Sequence, residues 1–467
     1  MRKILAYCLV CLLIAAFSSL FSPKVDAVVD PRVSNNNKFG IGILSPEANL
    51  EDAYNLVNSN GGDWGYITLV IRKNEMDVLR WQGILNNLNK RHLIPIIRIA
   101  ADVNEQGVWS KPDINDAELW ADFLNKLPWP IKNRYIQIYN EVNRASEWGG
   151  KVDPKEYARE LDKTLSALKA KSDDFFVLNA PLDLALLDSD NSIESASYFG
   201  QMEEAIPGIF TKLDGFASHS YPNPGFTANP NQEGKLGIRG FEWEIDLISK
   251  YLNGKKLPIF ITETGWLRED GEKKGLDEKS IADFYEFAFL QVWKNPDLVA
   301  ITPFVLEYPQ SNFYQFSFKK SIADNERPFY DYYYRIQSLA KTKGEPIRDN
   351  KASNLALNID GKIIKKVSKE IILRFKNEGN ILWKADYDIT IEPLSSVIDV
   401  QKIEWENKEI YPGQEAVIRL TLKSNEEGFS PLLLKVLNKD QTLAYNLSEI
   451  ETLDYLSFIV NTIKDFI

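Results

Sequence analysis

The chain runs to 467 residues but holds only two cysteines, Cys8 and Cys11, both inside its first apolar stretch. Everything after that stretch lacks a thiol, a disulfide and a cysteine metal site, so stability has to come from a large apolar core. Histidine is equally scarce: His92 and His219 are the only two. With no thiol beside them, they are too few for a catalytic transition-metal centre. The sequence therefore predicts no metal and no cofactor. It also lacks a Walker loop, a glycine-rich dinucleotide turn and a serine nucleophile elbow. Positive charge is in deficit too, with a formal net charge of −11. Arg2, Lys3 and Lys24 against Asp26 give the first 27 residues a net +2, so the remainder carries −13. That balance argues against nucleic acid and against anionic lipid as partners. It leaves a neutral polysaccharide open.

What is present suits a soluble globular protein: 44% hydrophobic and 26% charged residues. The length is too great for one ordinary domain and fits a barrel with a smaller module. At the N-terminus, Arg2 and Lys3 precede the apolar run 4–21, and Val25 and Ala27 are small residues spaced for cleavage after Ala27. This reads as a signal peptide for a secreted or extracytoplasmic protein. The apolar run approaches the lower limit of a membrane span. The alternative is membrane association through an uncleaved N-terminal segment.

From residue 38 to about 342, eight short apolar runs alternate with amphipathic stretches. The runs are 38–43, 66–71, 93–100, 134–141, 175–183, 214–221, 258–263 and 298–307. Between them apolar residues recur at helical spacing, as at Tyr157, Leu161, Leu165 and Leu168. Such alternation predicts a parallel sheet, and eight repeats close it into a (β/α)8 TIM barrel, with residues 329–341 as closing helix. Residues 341–353 are polar, include Gly344 and Pro346, and read as a linker. After them come runs of alternating apolar residues separated by turns, the pattern of a small all-β sandwich. Last, 452–467 carries a helical stripe at Leu453, Leu456, Val460, Ile463 and Ile467. Packing on its own domain is the plainer expectation for it, and an interfacial or partner-binding helix the sharper one. The expected division is a signal peptide at 1–27, the barrel at 28–345, the sandwich at 346–450 and a C-terminal amphipathic helix at 451–467.

Two apolar runs end in an acid rather than in a turn: Glu141 closes the fourth, Glu263 the seventh. In a parallel barrel both ends share one rim. A single strand-end glutamate is equally a salt-bridged rim residue. A pair is what glycosidic cleavage requires: one carboxyl to protonate the leaving oxygen, another to attack the anomeric carbon or activate water. Burial and a neighbouring carboxylate are expected to raise one pKa while hydrogen bonds hold the other low. Trp109, Trp148 and Trp266 fall on loops after strands three, four and seven, where indoles can stack on pyranose faces. Trp81, Trp120, Trp243 and Trp293 sit in helical patterns and read as core, and His92 reads as structural.

With Asn140-Glu141 ending strand four, His219-Ser220-Tyr221 ending strand six and Glu263 within TETGW, residues 38–342 resemble clan A glycoside hydrolases. Those are (β/α)8 retaining enzymes. The resemblance implies that Glu141 is the acid/base and Glu263 the nucleophile. It further implies that Asn140 binds the sugar 2-hydroxyl, that Tyr221 hydrogen-bonds the nucleophile and that His219 lines the cleft. Two departures stand out. The cation beside the nucleophile is expected to be Arg98 on strand three rather than Arg72 on strand two. Strand eight offers Phe304, Glu307 and Tyr308 where many members carry a tryptophan. Farther along, 375–383 and 411–422 resemble segments of bacterial immunoglobulin-like modules. The combined reading is a retaining glycosidase with a carbohydrate substrate. Trp148, Trp266, Asn140, His219, Tyr221 and Arg98 are its substrate-binding set. The rival is a catalytically silent barrel used for binding or as a cell-surface scaffold.

Overall fold

The computed structural model describes residues 28–105, 107–271, 274–309, 313–320, 327–358 and 361–459. The expected signal segment, 1–27, lies outside the described residues. Among the described residues no helix is long and apolar enough to cross a membrane.

The N-terminal region is α/β. Its strands are β1 (Gly40–Ile43), β2 (Gly65–Arg72), β3 (Leu93–Ala100), β4 (Arg134–Ile138), β5 (Phe175–Leu178), β6 (Phe216–Ser218), β7 (Ile259–Ile261) and β8 (Leu298–Ile301). The first five form one parallel sheet in sequence order and the last three another. Isolated parallel bridges join the two at both edges: Leu178–Gly215 and Asp183–His219 between β5 and β6, and Phe39–Ile301 between β8 and β1. From β4 to β8 the strands are shorter than the apolar runs, because the last residues of those runs leave the sheet to form the rim. β3 is buried along nearly its whole length, as expected where both sheet faces are covered. Between the two sheets, Tyr66 of β2, Tyr135 of β4, Phe176 of β5 and Phe260 of β7 meet as one aromatic layer. Their ring centroids lie 4.9–6.5 Å apart.

Helices cover the outside. Pro154–Lys171 is typical: Asp153 caps it by accepting from the Glu156 N–H, Pro154 occupies the first turn, and Tyr157, Leu161, Leu165 and Leu168 are buried along one face. Trp81, Trp120 and Trp293 are core, as their helical positions suggested, but Trp243 is half-exposed beneath the Lys235 ammonium.

The second region is all-β: β9 (Ala356–Asn358), β10 (Lys362–Ile364), β11 (Lys369–Lys376), β12 (Trp383–Lys384), β13 (Ile389–Leu394), β14 (Ile398–Trp405), β15 (Glu409–Ile410), β16 (Glu415–Ser424), β17 (Gly428–Asn438) and β18 (Gln441–Leu453). Two four-stranded sheets, β10-β18-β17-β13 and β14-β16-β11-β9, bury a common core that includes Leu373, Trp383, Leu420, Leu434 and Ile450. The boundary expected at 450 is corrected: β18 runs to Leu453, and residues 455–459 are helical. Tyr455 and Leu456 there are exposed, 65% and 74%, while Ser457 and Phe458 are half-buried. The remainder of the expected helix lies outside the described residues.

The segment expected as a linker docks instead. Gly344 N donates to Asp63 O and Glu345 N to Asn35 O, while Ile347 O accepts from Lys132 N. The Arg348 guanidinium lies 4.9 Å over Trp64, which in turn stacks on His92. His92 is held by Asp63 at 2.9 Å, the structural role expected of it. All these partners precede strands, so this segment covers the N-terminal strand ends. That leaves the C-terminal ends for chemistry.

Candidate active site

The two glutamates stand just past the C-terminal ends of β4 and β7. Local backbone geometry aims each of them. Tyr139 and Glu141 have φ of 65° and 37°, left-handed values that cost non-glycine residues of order 1–3 kcal/mol each. Glu141 N donates to Pro181 O, and Arg144 N to Glu141 O, which holds this bend against the loop after β5. Beyond Glu263, Gly265 adopts φ +147°, where a Cβ would meet the Tyr285 hydroxyl at 2.8 Å. Thr264 is pinned by Oγ1 to Ser220 O at 2.7 Å and by its carbonyl to Phe304 N at 2.9 Å. Strands β6, β7 and β8 are thereby tied together at the rim.

These bends bring the side chains together. His219 Nδ1 is 3.0 Å from Glu141 Oε1 and 3.7 Å from Glu263 Oε2. One atom from each of Glu141, His219 and Glu263 lies within 4.8 Å of the others. A cation could use that spacing, but His219 Nδ1 is engaged with Glu141. The Tyr221 hydroxyl donates to Glu263 Oε2 at 3.1 Å, not to Glu141. Arg98 reaches within 3.9 Å of Glu263 Oε1 and 3.4 Å of Glu147 Oε2. Arg72 turns away and pairs with Glu75 at 2.8 Å, leaving Arg98 as the arginine beside Glu263. Asn140 is buried beside Glu141 and accepts from Gln137 at 3.4 Å.

The electrostatics depart from expectation in one respect. Burial pushes the Glu141 carboxyl up, but the hydrogen bond and charge of His219, followed by Arg144 and Arg98, more than offset it. Its pKa ends below the ordinary carboxylate value. Burial pulls His219 down, and Glu263 and Glu141 outweigh that, so the imidazole is raised. The proton of this pair therefore rests on the ring. Burial, with the charges of Glu263 and Glu141, pushes the Tyr221 phenol well above its usual value, so it remains a donor.

Two expected sugar platforms are corrected. Trp148 and Trp266 are each only 2% exposed. Trp148 is wedged edge-on between Tyr139 and Tyr157, with its N–H on Glu156. Trp266 packs on Tyr285, with its N–H on Ala228 O. Both loops fold back over their helices, and indole burial there is worth more than a wet rim position. Trp109 alone of the three stays partly exposed, under the Arg98 guanidinium at 5.0 Å. An aromatic cluster lies elsewhere, in which Phe226, Phe304 and Phe313 keep exposed surface while Tyr221 and Phe316 are buried. Tyr221, Phe226, Phe316, Phe304 and Phe313 form a continuous wall beside Glu263, with centroids 5.1–6.1 Å apart.

Sequence reasoning also missed Arg144, Asp183 and Glu147. Arg144 lies 3.9 Å from Glu141 Oε2 and pairs closely with Asp183. Asp183 closes the fifth apolar run just as Glu141 closes the fourth, so the same strand-end rule would have found it. Arg144 and Glu147 follow Glu141 within one loop, and no spacing rule marks them.

No family model matches the chain, and no curated protein matches it. Solved structures similar to it include a family 39 glycoside hydrolase from the gut symbiont Bacteroides cellulosilyticus WH2, 12% identical over 86% of this chain and 83% of that one, with a TM-score of 0.46. Another is BuGH86 in complex with neoagarooctaose, 10% identical over 92% of each chain, TM-score 0.43. A third is AbfB, a family 51 α-L-arabinofuranosidase from Bifidobacterium longum, 10% identical over 73% of this chain and 77% of that one, TM-score 0.40. At such identities and scores the likeness assigns no residue a role.

Proposed function

We propose that this protein is a retaining glycoside hydrolase that cleaves β-O-glycosidic bonds in an oligo- or polysaccharide by double displacement. The eight strands are taken as a (β/α)8 barrel, the second region as an immunoglobulin-like module, and the N-terminal segment as the export signal. The observation that carries the reading is the pairing of Glu141 and Glu263 at one rim, with oxygens inside 4.8 Å of each other. Carboxyl groups about 5–5.5 Å apart suit covalent catalysis, whereas inversion needs roughly 6.5–9.5 Å to admit a water. The spacing supports the first.

In this reading Glu263 attacks the anomeric carbon. Tyr221 and Arg98 hold its two oxygens. Glu141 protonates the leaving oxygen. Its proton comes from the shared store: a shift across the 3.0 Å from His219 Nδ1 to Oε1 leaves Glu141 as the acid facing a neutral imidazole. In the second step Glu141 takes a proton from water, which displaces the sugar from Glu263. Asn140 is placed to meet the sugar 2-hydroxyl, and the Phe304–Phe313–Phe316 wall to pack against the ring. The test is a panel of β-linked polysaccharides with product stereochemistry followed by NMR. The first-formed product should keep the substrate's anomeric configuration. An inverted product overturns the mechanism, and a panel with no cleavage overturns the activity.

A further inference from the structure

One buried carboxyl in the cleft has no task in that mechanism. Glu147 ends the single 3-10 turn Ala145–Glu147, and its side chain is only 17% exposed. Its partner is Arg98, itself 13% exposed, and neither of Arg98's acidic contacts is tight: 3.4 Å to Glu147 and 3.9 Å to Glu263. The guanidinium has Trp109 under it at 5.0 Å. Trp109 is bound to the Glu147 turn by backbone bonds on both sides, Trp109 N to Ser146 O at 2.8 Å and Gly149 N to Trp109 O at 3.0 Å. The floor under Arg98 and the carboxylate beside it thus belong to one unit built from the loops after β3 and β4. Glu263 arrives from a third loop.

We propose that Glu147 is a positioning residue that holds Arg98 between Glu263 and Trp109 and shares its charge with the nucleophile. This rests on the reading of Glu263 as nucleophile. The consequence concerns release of the sugar. As the glycosyl–Glu263 bond breaks, the departing carboxylate regains negative charge; with the imidazole neutral at that stage, Arg98, 3.9 Å from Oε1, is the cation placed to take it up. How fully Arg98 does so depends on Glu147. The charged groups facing Glu147 are Arg98, Glu141, Glu263 and Arg144. Burial, opposed by Arg98 and reinforced by Glu141 and Glu263, pushes its pKa up to about 7. Below that pH Glu147 is neutral, and Arg98 serves Glu263. Above it Glu147 ionises and draws Arg98 toward itself.

The test reads Arg98 directly and turnover separately. The Nε–H signal of Arg98 in a nitrogen-15 spectrum, identified by its loss in Arg98→Lys, is followed from pH 5.5 to 8.5. In the native protein it should shift with a midpoint near 7, and in Glu147→Gln the shift should vanish. On an aryl glycoside with a good leaving group, kcat of the native enzyme should fall several-fold as pH rises through that midpoint, with KM falling alongside as glycosyl-enzyme accumulates. Glu147→Gln should remove the fall, while Glu147→Ala, which leaves Arg98 unsupported, should lower kcat at every pH. An Arg98 signal that stays flat in the native protein, or that titrates identically in Glu147→Gln, overturns the proposal, as does a kcat profile that Glu147→Gln leaves unchanged. If no glycoside is cleaved but the Arg98 signal titrates only when Glu147 is present, the charge sharing stands and the glycosidase reading falls.

Discussion

His219 Nδ1 lies 3.0 Å from Glu141 Oε1. In the proposed mechanism the proton that Glu141 delivers is held jointly by these two groups, and the raised imidazole keeps it bound beyond the ordinary histidine value of 6.5. The alkaline limb of kcat/KM should therefore lie above pH 6.5 in the native protein. His219→Asn removes the imidazole's share and should move that limb to lower pH. A limb that stays in place would show that the imidazole does not store the proton.

Glu263→Gln should abolish turnover while leaving the circular dichroism spectrum and melting temperature near native, since a carboxamide fits the same space. Glu141→Ala should cost about 10²- to 10⁴-fold on substrates with poor leaving groups. Activated glycosides should suffer less, and azide should restore part of their rate. Equal losses on both substrate types would remove Glu141 from the acid role.

Tyr221→Phe deletes the hydroxyl that donates to Glu263 Oε2 at 3.1 Å. A hydrogen bond to a charged group is worth about 1.5–3 kcal/mol, so kcat should fall by roughly 10- to 150-fold. The measurement is steady-state kinetics on an aryl glycoside. A change of less than twofold would mean that the hydroxyl serves only packing.

Glu244 supplies a stability test away from the chemistry. It is fully buried, takes a hydrogen bond from Ser218 behind the His219 strand, and has no partner for Oε1 among the described residues. Burial pushes its pKa from 4.5 up to about 8. The folded state thus favours the neutral acid. Its stabilising contribution is complete below about pH 4.5 and is lost as pH rises toward 8. Glu244→Gln should raise the melting temperature at pH 8 by roughly 2–4 °C and by less at pH 5. An equal effect at both pH values would contradict the burial of a neutral carboxyl.

The two regions have separate cores, with clusters ending at Leu339 and beginning at Leu355. A fragment of residues 28–350 should fold and melt cooperatively without the β-region. A fragment ending at 345 should be less stable, because it loses the Ile347 carbonyl on Lys132 and the Arg348 guanidinium over Trp64. Limited proteolysis and thermal denaturation of the two fragments would show the difference. An insoluble 28–350 fragment would mean that the contacts between regions, such as Asn89 to Asn380 and Lys90 to Glu409, are obligatory.

What the sequence determined by itself was the alternation of strands and helices, the shift to an all-β pattern after residue 353 and the two acids at strand ends. Each is a local signal. Burial of a helix face at 3.6-residue spacing, or of a strand on both sides, is written into neighbouring residues. The meeting of Glu141, Glu263, His219 and Tyr221 followed from one topological fact, that parallel strand ends share a rim. What only the tertiary structure decided is which way the loops fold. Trp148 and Trp266 occupy the loop positions expected of sugar platforms, yet both turn into the core, because tyrosines on the adjoining helices offer them dry contacts that sequence spacing does not reveal. The meeting of Phe316 with Tyr221 and Phe226, and the Arg98–Glu147 pair, join segments brought together only in three dimensions. The pKa order of Glu141 and His219 was equally hidden. It depends on a 3.0 Å contact between residues 78 positions apart, and Coulomb energy is set by distance and burial, not by the order of residues along the chain.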